Sequence, residues 1–444
     1  MSNRQQILPA RVLRRRARLL PWRAMKFIHA ADLHLDSPLV GLARYEGAPA
    51  EELRGATRKA LGNLVSLAIE ERVQFVLIAG DVYDGDWRDY NTGLYFATQM
   101  SRLRQANIPV YLIRGNHDAG SQISRQLRLP DNVQELPTSA PRTIRLDELR
   151  VAIHGRGFAT AAVTEDLSAG YPCPIPGWFN IGMLHTSAGG RPGHENYAPC
   201  AAADLVRKGY DYWALGHVHQ REVLHEDPWI VFPGNVQGRH IREPGAKGCS
   251  LVEVVDGRVA RVTHRPVDIV RWAECAVDAA GAHDEAELLE RLAAALRAAA
   301  SAADGRFLAA RVVFSGATTA HALLERRADQ FIADCRALAN DRFNGKVWLE
   351  KIQFQTRMPF DPAGIEAESD PLAELWRFLQ ELRGDAGRLQ ELAADLAELK
   401  RKLPSELRAG SDALALEDPA WVARELEEAA QILLPRLDAA RGAR

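Results

Sequence analysis

Five apolar runs of this chain each stop at side chains able to bind a metal or carry a proton. The run at residues 26–31 ends in Asp32 and His34, two positions apart. "VLIAGDVYD" delivers Asp81 and, three residues on, Asp84; "YLIRGNHD" delivers Asn116, His117 and Asp118. "IGMLHTS" delivers His185, and "YWALGHVH" ends in His217 and His219 behind Gly216. The last pair taken alone reads equally as two surface histidines. In an extended segment residues i and i+2 share a side, so both rings are expected to face one spot. Sites in open α/β sheets form at the carboxyl ends of strands, so all five runs could deliver their side chains to one rim. Two aspartates, one asparagine oxygen and four histidines (Asp32, His34, Asp81, Asn116, His185, His217 and His219) are too many donors for one ion and suit two divalent cations. Such a pair needs an anionic bridge, and Asp81 stands in the middle of the set.

The elements that must position these residues alternate between strand and helix. A helical stripe of Leu61, Leu64, Val65 and Ala68 follows the first strand, and residues 88–106 read as a second helix. Strands are expected at 149–158, 179–187 and 229–235, with a pair at 247–255 and 258–265. This implies a layered α/β domain over residues 25–267, with helices outside. Residues 268–358 read as a small α+β cap domain. Residues 359–444 read as a helical C-terminal region, with stripes of Leu372, Leu375, Trp376, Leu379 and Leu382, of Leu389, Leu392, Leu396, Leu399 and Leu403, and of Val422, Leu426, Ala429 and Leu433. Periodicity alone leaves two readings open, a self-packed tail or a docking surface for another protein's coiled coil.

At 444 residues the chain can build two or three domains, and no apolar run approaches membrane-spanning length. Its 5 cysteines are odd in number and scattered, which points to free thiols in a reducing cytoplasm. The formal charge of −2 is uneven: residues 1–24 carry seven arginines and no acid, while residues 361–444 carry 18 acidic and 11 basic residues. A nucleic-acid ligand would therefore depend on local basic patches, because the whole-molecule field does not attract it. Residues 1–24 read as a basic, disordered extension ahead of Met25, with a phosphate-touching arm as the other reading.

Taken in order, "DLH…GDVYD…GNHD…H…GHVH" resembles the calcineurin-like metallophosphoesterase signature over about residues 25 to 240. The resemblance implies a sheet sandwich with helices outside and two divalent ions. One ion would be held by Asp32, His34 and His219, the other by Asn116, His185 and His217, with Asp81 between them. Gly216 is then expected to turn the chain so that the two histidines reach different ions. His117, next to a ligand, is assigned as general acid, and Asp84 as the carboxylate that keeps its imidazole protonated.

Finer motifs narrow the branch. "FIHAADLHLDSPL" with "GDVYD" resembles the SbcD-type DNA repair exonucleases, and "HLDSP" with "GNVQGRHIREPGAKGC" is most similar to their YhaO branch. That resemblance implies a manganese-type phosphodiesterase acting on DNA ends, a cap domain, a tail that docks on an SMC-like ATPase, and relatives that commonly dimerise. It implies no membrane association. Arg239 and His240, in the loop at 234–243, are expected to touch substrate phosphate, against the reading of a hairpin with an exposed basic tip. A phosphodiesterase or pyrophosphatase for small nucleotides, and a non-catalytic docking subunit of an ATPase, stand as alternatives.

Overall fold

The structure is a computed structural model and describes residues 23–37, 53, 55–84, 90–120, 128–189, 197–359, 371–403 and 414–442. Nearly all of the expected basic extension, and part of the helical C-terminal region, lies outside these residues. The chain separates into two compact units. One holds the described residues up to Gln237 together with 246–269; the other holds 238–245 and the described residues from Val270 onward.

The first unit is built on two six-stranded sheets. Strands β1 (Met25–Ala30), β2 (Phe75–Ile78), β3 (Val110–Leu112) and β4 (Val133–Glu135) run parallel, and β1 also pairs antiparallel with a later strand. The second sheet contains β5 (Arg142–Leu146), β6 (Val151–Gly155), β7 (Phe179–His185), β8 (Tyr212–Gly216), β9 (Glu222–Glu226) and β10 (Trp229–Phe232), in the order β5-β6-β7-β8-β10-β9. The hairpin β11 (Gly248–Val255) and β12 (Arg258–Pro266) turns at Asp256 and Gly257, both at positive φ, and returns to the first sheet beside β1.

The core explains why the strands read as unbroken apolar runs. Phe27, Phe75, Phe179 and Tyr212 meet between the sheets, with Phe27 stacked on Phe75 at 4.9 Å and edge-on to Tyr212 at 5.3 Å. The opposite face of the first sheet packs beneath helices α1 (Ala56–Glu70) and α2 (Tyr90–Gln105), through Leu61, Leu64, Val65, Phe96, Met100 and Leu103. The short helices α3 (Asn116–Gly120) and α4 (Ala202–Arg207) follow β3 and β7. Strands buried on both faces have no polar side to alternate with. One polar exception is His29 of β1, whose Nε2 meets the Leu215 carbonyl and whose Nδ1 meets the Tyr212 hydroxyl, each at 3.0 Å. Burial lowers its pKa to about 3, against the opposing pull of that carbonyl, so the ring is neutral.

In the second unit, β13 (Val270–Asp278), β14 (Phe307–Ala317) and β15 (Val347–Arg357) form one sheet with α5 (Glu285–Ala302), α6 (His321–Arg326) and α7 (Ala328–Arg342). All three strands run parallel, so the unit is two successive β-α-β crossovers where an α+β arrangement was expected. Between β14 and β15 the chain forms two helices, separated at Arg327.

Among the described residues three tail helices follow: α8 (Pro371–Gly384), α9 (Ala386–Lys402) and α10 (Pro419–Gly442). Leu372, Leu375, Trp376 and Leu379 pack with Ala430 and Leu434, and Leu389, Leu392 and Leu396 pack with Val422 and Leu426. Most of the stripe residues are thus consumed within the tail. The large apolar side chains of α9 and α10 left exposed are Leu399, Ile432, Leu433 and Leu437.

Candidate metal centre

The site lies where β1, β2, β3, β7 and β8 end. Pairing continues past the strands: Asp32 N donates to Gly80 O and His34 N to Asp81 O, each at 3.0 Å. The two sheets are tied at the same level, because His217 N donates to both carboxylate oxygens of Asp32 at 3.1 and 3.0 Å. Asp32, His34, Asp81 and His217 all have positive φ, between 41° and 99°. Non-glycine residues there are strained, and strain of this kind persists where the surrounding structure over-determines it.

Two glycines are set by close approach. A Cβ at Gly115 would run into the Asp81 carboxylate, and one at Gly216 into the Ala79 carbonyl. Ala79 O accepts the Nδ1 proton of His185 at 2.8 Å, which leaves the Nε2 lone pair of that ring facing the site. Gly216 therefore protects a ligand's orientation. It does not turn the chain as expected: it is still in β8, and the turn falls on His217 at φ 99°. Past that turn strand alternation no longer holds, so the two rings separate instead of facing one spot.

The donors fall into two sets that share a neighbour. Asp32, His34 and His219 converge, each offering an atom within 4.8 Å of the others, and so do Asp81, His185 and His217. His34 Nε2 lies 3.1 Å from His219 Nε2, and Asn116 Oδ1 lies 3.0 Å from His185 Nε2. Asp81 Oδ2 sits between the sets, 3.4 Å from His185 Nε2 and 3.9 Å from His34 Nε2. All seven side chains expected as ligands are brought together. Lone pairs of imidazoles and carboxylates converging in a buried site fit two divalent cations.

The electrostatics agree with that fit. Burial pushes Asp32 up to about 6, against the pull of His219 and His185. Burial disfavours the Asp81 carboxylate too, yet His185 and His34 overcome it and hold the group well below the usual range. For His185 burial acts downward, and Asp81 outweighs it, raising the ring to about 9. Carboxylates without cations are uncomfortable here, and imidazoles must carry protons that a metal would displace.

His117 stands beside the donors, with a ring nitrogen within 4.8 Å of donor atoms of His34 and Asp81. Its Nδ1 lies 2.7 Å from Asp84 Oδ1, its side chain is 39% exposed, and its backbone N donates to Asp81 Oδ1 at 3.0 Å. Asp84 also accepts from the Ser37 hydroxyl. Burial would raise Asp84, but its hydrogen bonds to His117 and His34 hold it far below the ordinary range, so it is ionised. The sequence reading gave no role to Asp118, although it stands in "GNHD". Fully buried, it accepts from Tyr83 N at 3.0 Å and Gly115 N at 3.1 Å, tying the second and third strand-end loops together. Burial and the neighbouring Asp81 push it up to about 7.

The loop at 234–243 is less open than its composition implies. Asn235 and Gln237 are buried, with Gln237 Oε1 accepting from Ile269 N at 2.8 Å. Arg239 belongs to the second unit, where its guanidinium donates to Glu243 Oε1 at 2.9 Å and its backbone N to Glu243 Oε2 at 2.8 Å. His240 is more exposed, with Nε2 3.6 Å from Glu243 Oε1. The guanidinium expected to meet phosphate thus has an internal carboxylate partner.

Residues 25–221 match the family model described as calcineurin-like phosphoesterase, and residues 272–357 match the middle domain of the metallophosphoesterase YhaO. The chain is 37% identical over 270 residues to the "Uncharacterized metallophosphoesterase YhaO" of Bacillus subtilis, covering 60% of this chain and 66% of that protein. It is 33% identical over 240 residues to the DNA double-strand break repair protein Mre11 of Archaeoglobus fulgidus, covering 49% and 52%. With the Mre11 of Methanopyrus kandleri the identity is 27% over 231 residues, covering 48% of each. The chain therefore spans about half the length of these Mre11 relatives and just under two thirds of YhaO.

Proposed function

Because this chain carries a calcineurin-like phosphoesterase domain and a YhaO-type middle domain, we propose that it is a two-metal phosphodiesterase that hydrolyses DNA from its ends. The observation that carries the reading is Asp81 Oδ2 lying between two complete donor sets. Two bound divalent ions, manganese by this reading, supply Lewis acidity to the phosphoryl oxygens and make water a nucleophile at neutral pH. Asp32, His34 and His219 would hold one ion, Asn116, His185 and His217 the other, and Asp81 would contribute to both.

His117 supplies the proton for the leaving oxygen. With Nδ1 engaged by Asp84, Nε2 is the ring nitrogen assigned to the substrate. Ionised Asp84 keeps that imidazole cationic and fixes its plane, and the backbone bond from His117 to Asp81 sets its height above the centre. The Mre11 relatives support DNA as substrate. The formal charge of −2 works against long-range attraction, so DNA would be held by local contacts.

The test is to incubate manganese-loaded protein in parallel with end-labelled duplex, single-stranded DNA, bis-p-nitrophenyl phosphate and a small nucleotide. Chelator-sensitive release of nucleotides from an end supports the reading. Turnover of the small nucleotide alone would replace DNA by that substrate class, and no turnover of any diester would remove the hydrolase assignment.

A further inference from the structure

A buried lysine outside the donor sets bears on one of them. Lys247, in the "GAKGC" stretch before β11, is 3% exposed. Its Nζ donates to the backbone carbonyl of His219 at 2.9 Å. Lysine is rarely buried so fully, because an ammonium removed from water must be compensated by partners. The carbonyl it meets belongs to a residue of the Asp32 donor set, and Asn235 N also donates to that carbonyl, at 3.3 Å.

Lys247 itself sits on a fixed platform. Its own carbonyl accepts from Val267 N at 3.0 Å and Asp268 N at 3.2 Å, while Gly248 N donates to Asn235 O at 3.1 Å. The 217–219 turn lies past the end of β8, and its His219 carbonyl is met by Asn235 N and by Lys247 Nζ. A buried cation anchored just ahead of β11 and aimed at that carbonyl restrains the His219 peptide plane.

We infer that Lys247 is a positioning residue for the metal centre, orienting the His219 imidazole toward the ion shared with Asp32 and His34 through the His219 carbonyl. It touches neither substrate nor metal. The inference rests on the two-metal reading above and adds a residue that reading does not contain. Partners that orient metal ligands typically contribute 10–100-fold to metal affinity when removed. The loss here should fall on one ion, because the other donor set does not use His219.

The experiment is a calorimetric titration with Mn²⁺ of wild type, Lys247→Met and Lys247→Gln, with thermal melts of each metal-free protein. Wild type should bind two ions. Lys247→Met should keep one at wild-type affinity and bind the other about 10–100-fold more weakly. Lys247→Gln retains a donor and should fall between; it also carries the test if the methionine variant does not fold. In a His219→Ala background, Lys247→Met should leave the affinity for the remaining ion unchanged. Wild-type affinities in both lysine variants, an equal loss at both ions, or a further loss in the His219→Ala background would overturn the inference. Absence of metal binding by wild type would instead overturn the two-metal reading itself.

Discussion

His117 Nδ1 lies 2.7 Å from Asp84 Oδ1, a contact that anchors the imidazole beside the donors His34 and Asp81. His117→Ala should keep both ions and lose about 10²–10⁴-fold in hydrolysis of DNA, whose leaving oxygen needs a proton. Bis-p-nitrophenyl phosphate, with a leaving group that departs as an anion, should lose far less. Equal losses on the two substrates at unchanged metal content would take His117 out of the leaving-group role. Asp84→Asn should reproduce the pattern with a smaller loss, about 10–100-fold.

Asp81 stands between both donor sets and so should not be dispensable for either substrate. Asp81→Ala should abolish turnover of every diester and lower the bound metal measured by elemental analysis. Near-normal turnover of bis-p-nitrophenyl phosphate by this variant would sink the assignment of a shared carboxylate.

His29 gives the folded chain a defined response to acid. Its pKa is lowered from 6.5 to about 3, so between these values the unfolded chain binds a proton that the folded chain does not. Stability therefore rises with pH through that window and falls on acidification, by about 1.4 kcal/mol per unit once below pH 6.5. Wild type should lose about 2 kcal/mol from this group between pH 7 and pH 5, and His29→Gln should not. Denaturant melts of both proteins in chelator across that range measure the difference. Parallel pH profiles would show that His29 titrates alike folded and unfolded.

The tail is our proposed docking surface for an SMC-like ATPase, and the structure moves the expected contact. Leu389 and Leu434 are buried inside the tail, whereas Leu433 and Leu437 are exposed on α10. Leu433→Asp with Leu437→Asp should weaken co-purification with the ATPase while leaving the helical signal intact. Deleting residues beyond 358 should do the same and spare metal binding, since every ligand precedes Gln220. Undiminished association in both proteins would place the docking site elsewhere.

The sequence by itself determined the donor set and its place at the strand ends. Side chains able to bind a metal and the apolar runs that carry them are adjacent in the chain, so chemistry and periodicity report together at Asp32, Asp81, Asn116, His185 and His217. How those donors divide was implied only by the family resemblance, and tertiary structure alone decided what holds them. His217 and His219 part because His217 takes φ 99°, and a backbone angle outside the strand region leaves no trace in alternation. Gly216 was legible as a glycine, but its reason, the Ala79 carbonyl pressed against it, comes from a different strand. Lys247 acts on a backbone carbonyl 28 residues away, and a carbonyl looks the same at every position of a sequence. The leucine stripes marked apolar faces correctly, but periodicity names a face without naming its cover. Most of that cover proved to be the tail's own helices, and only packing in three dimensions could show which leucines remained for a partner.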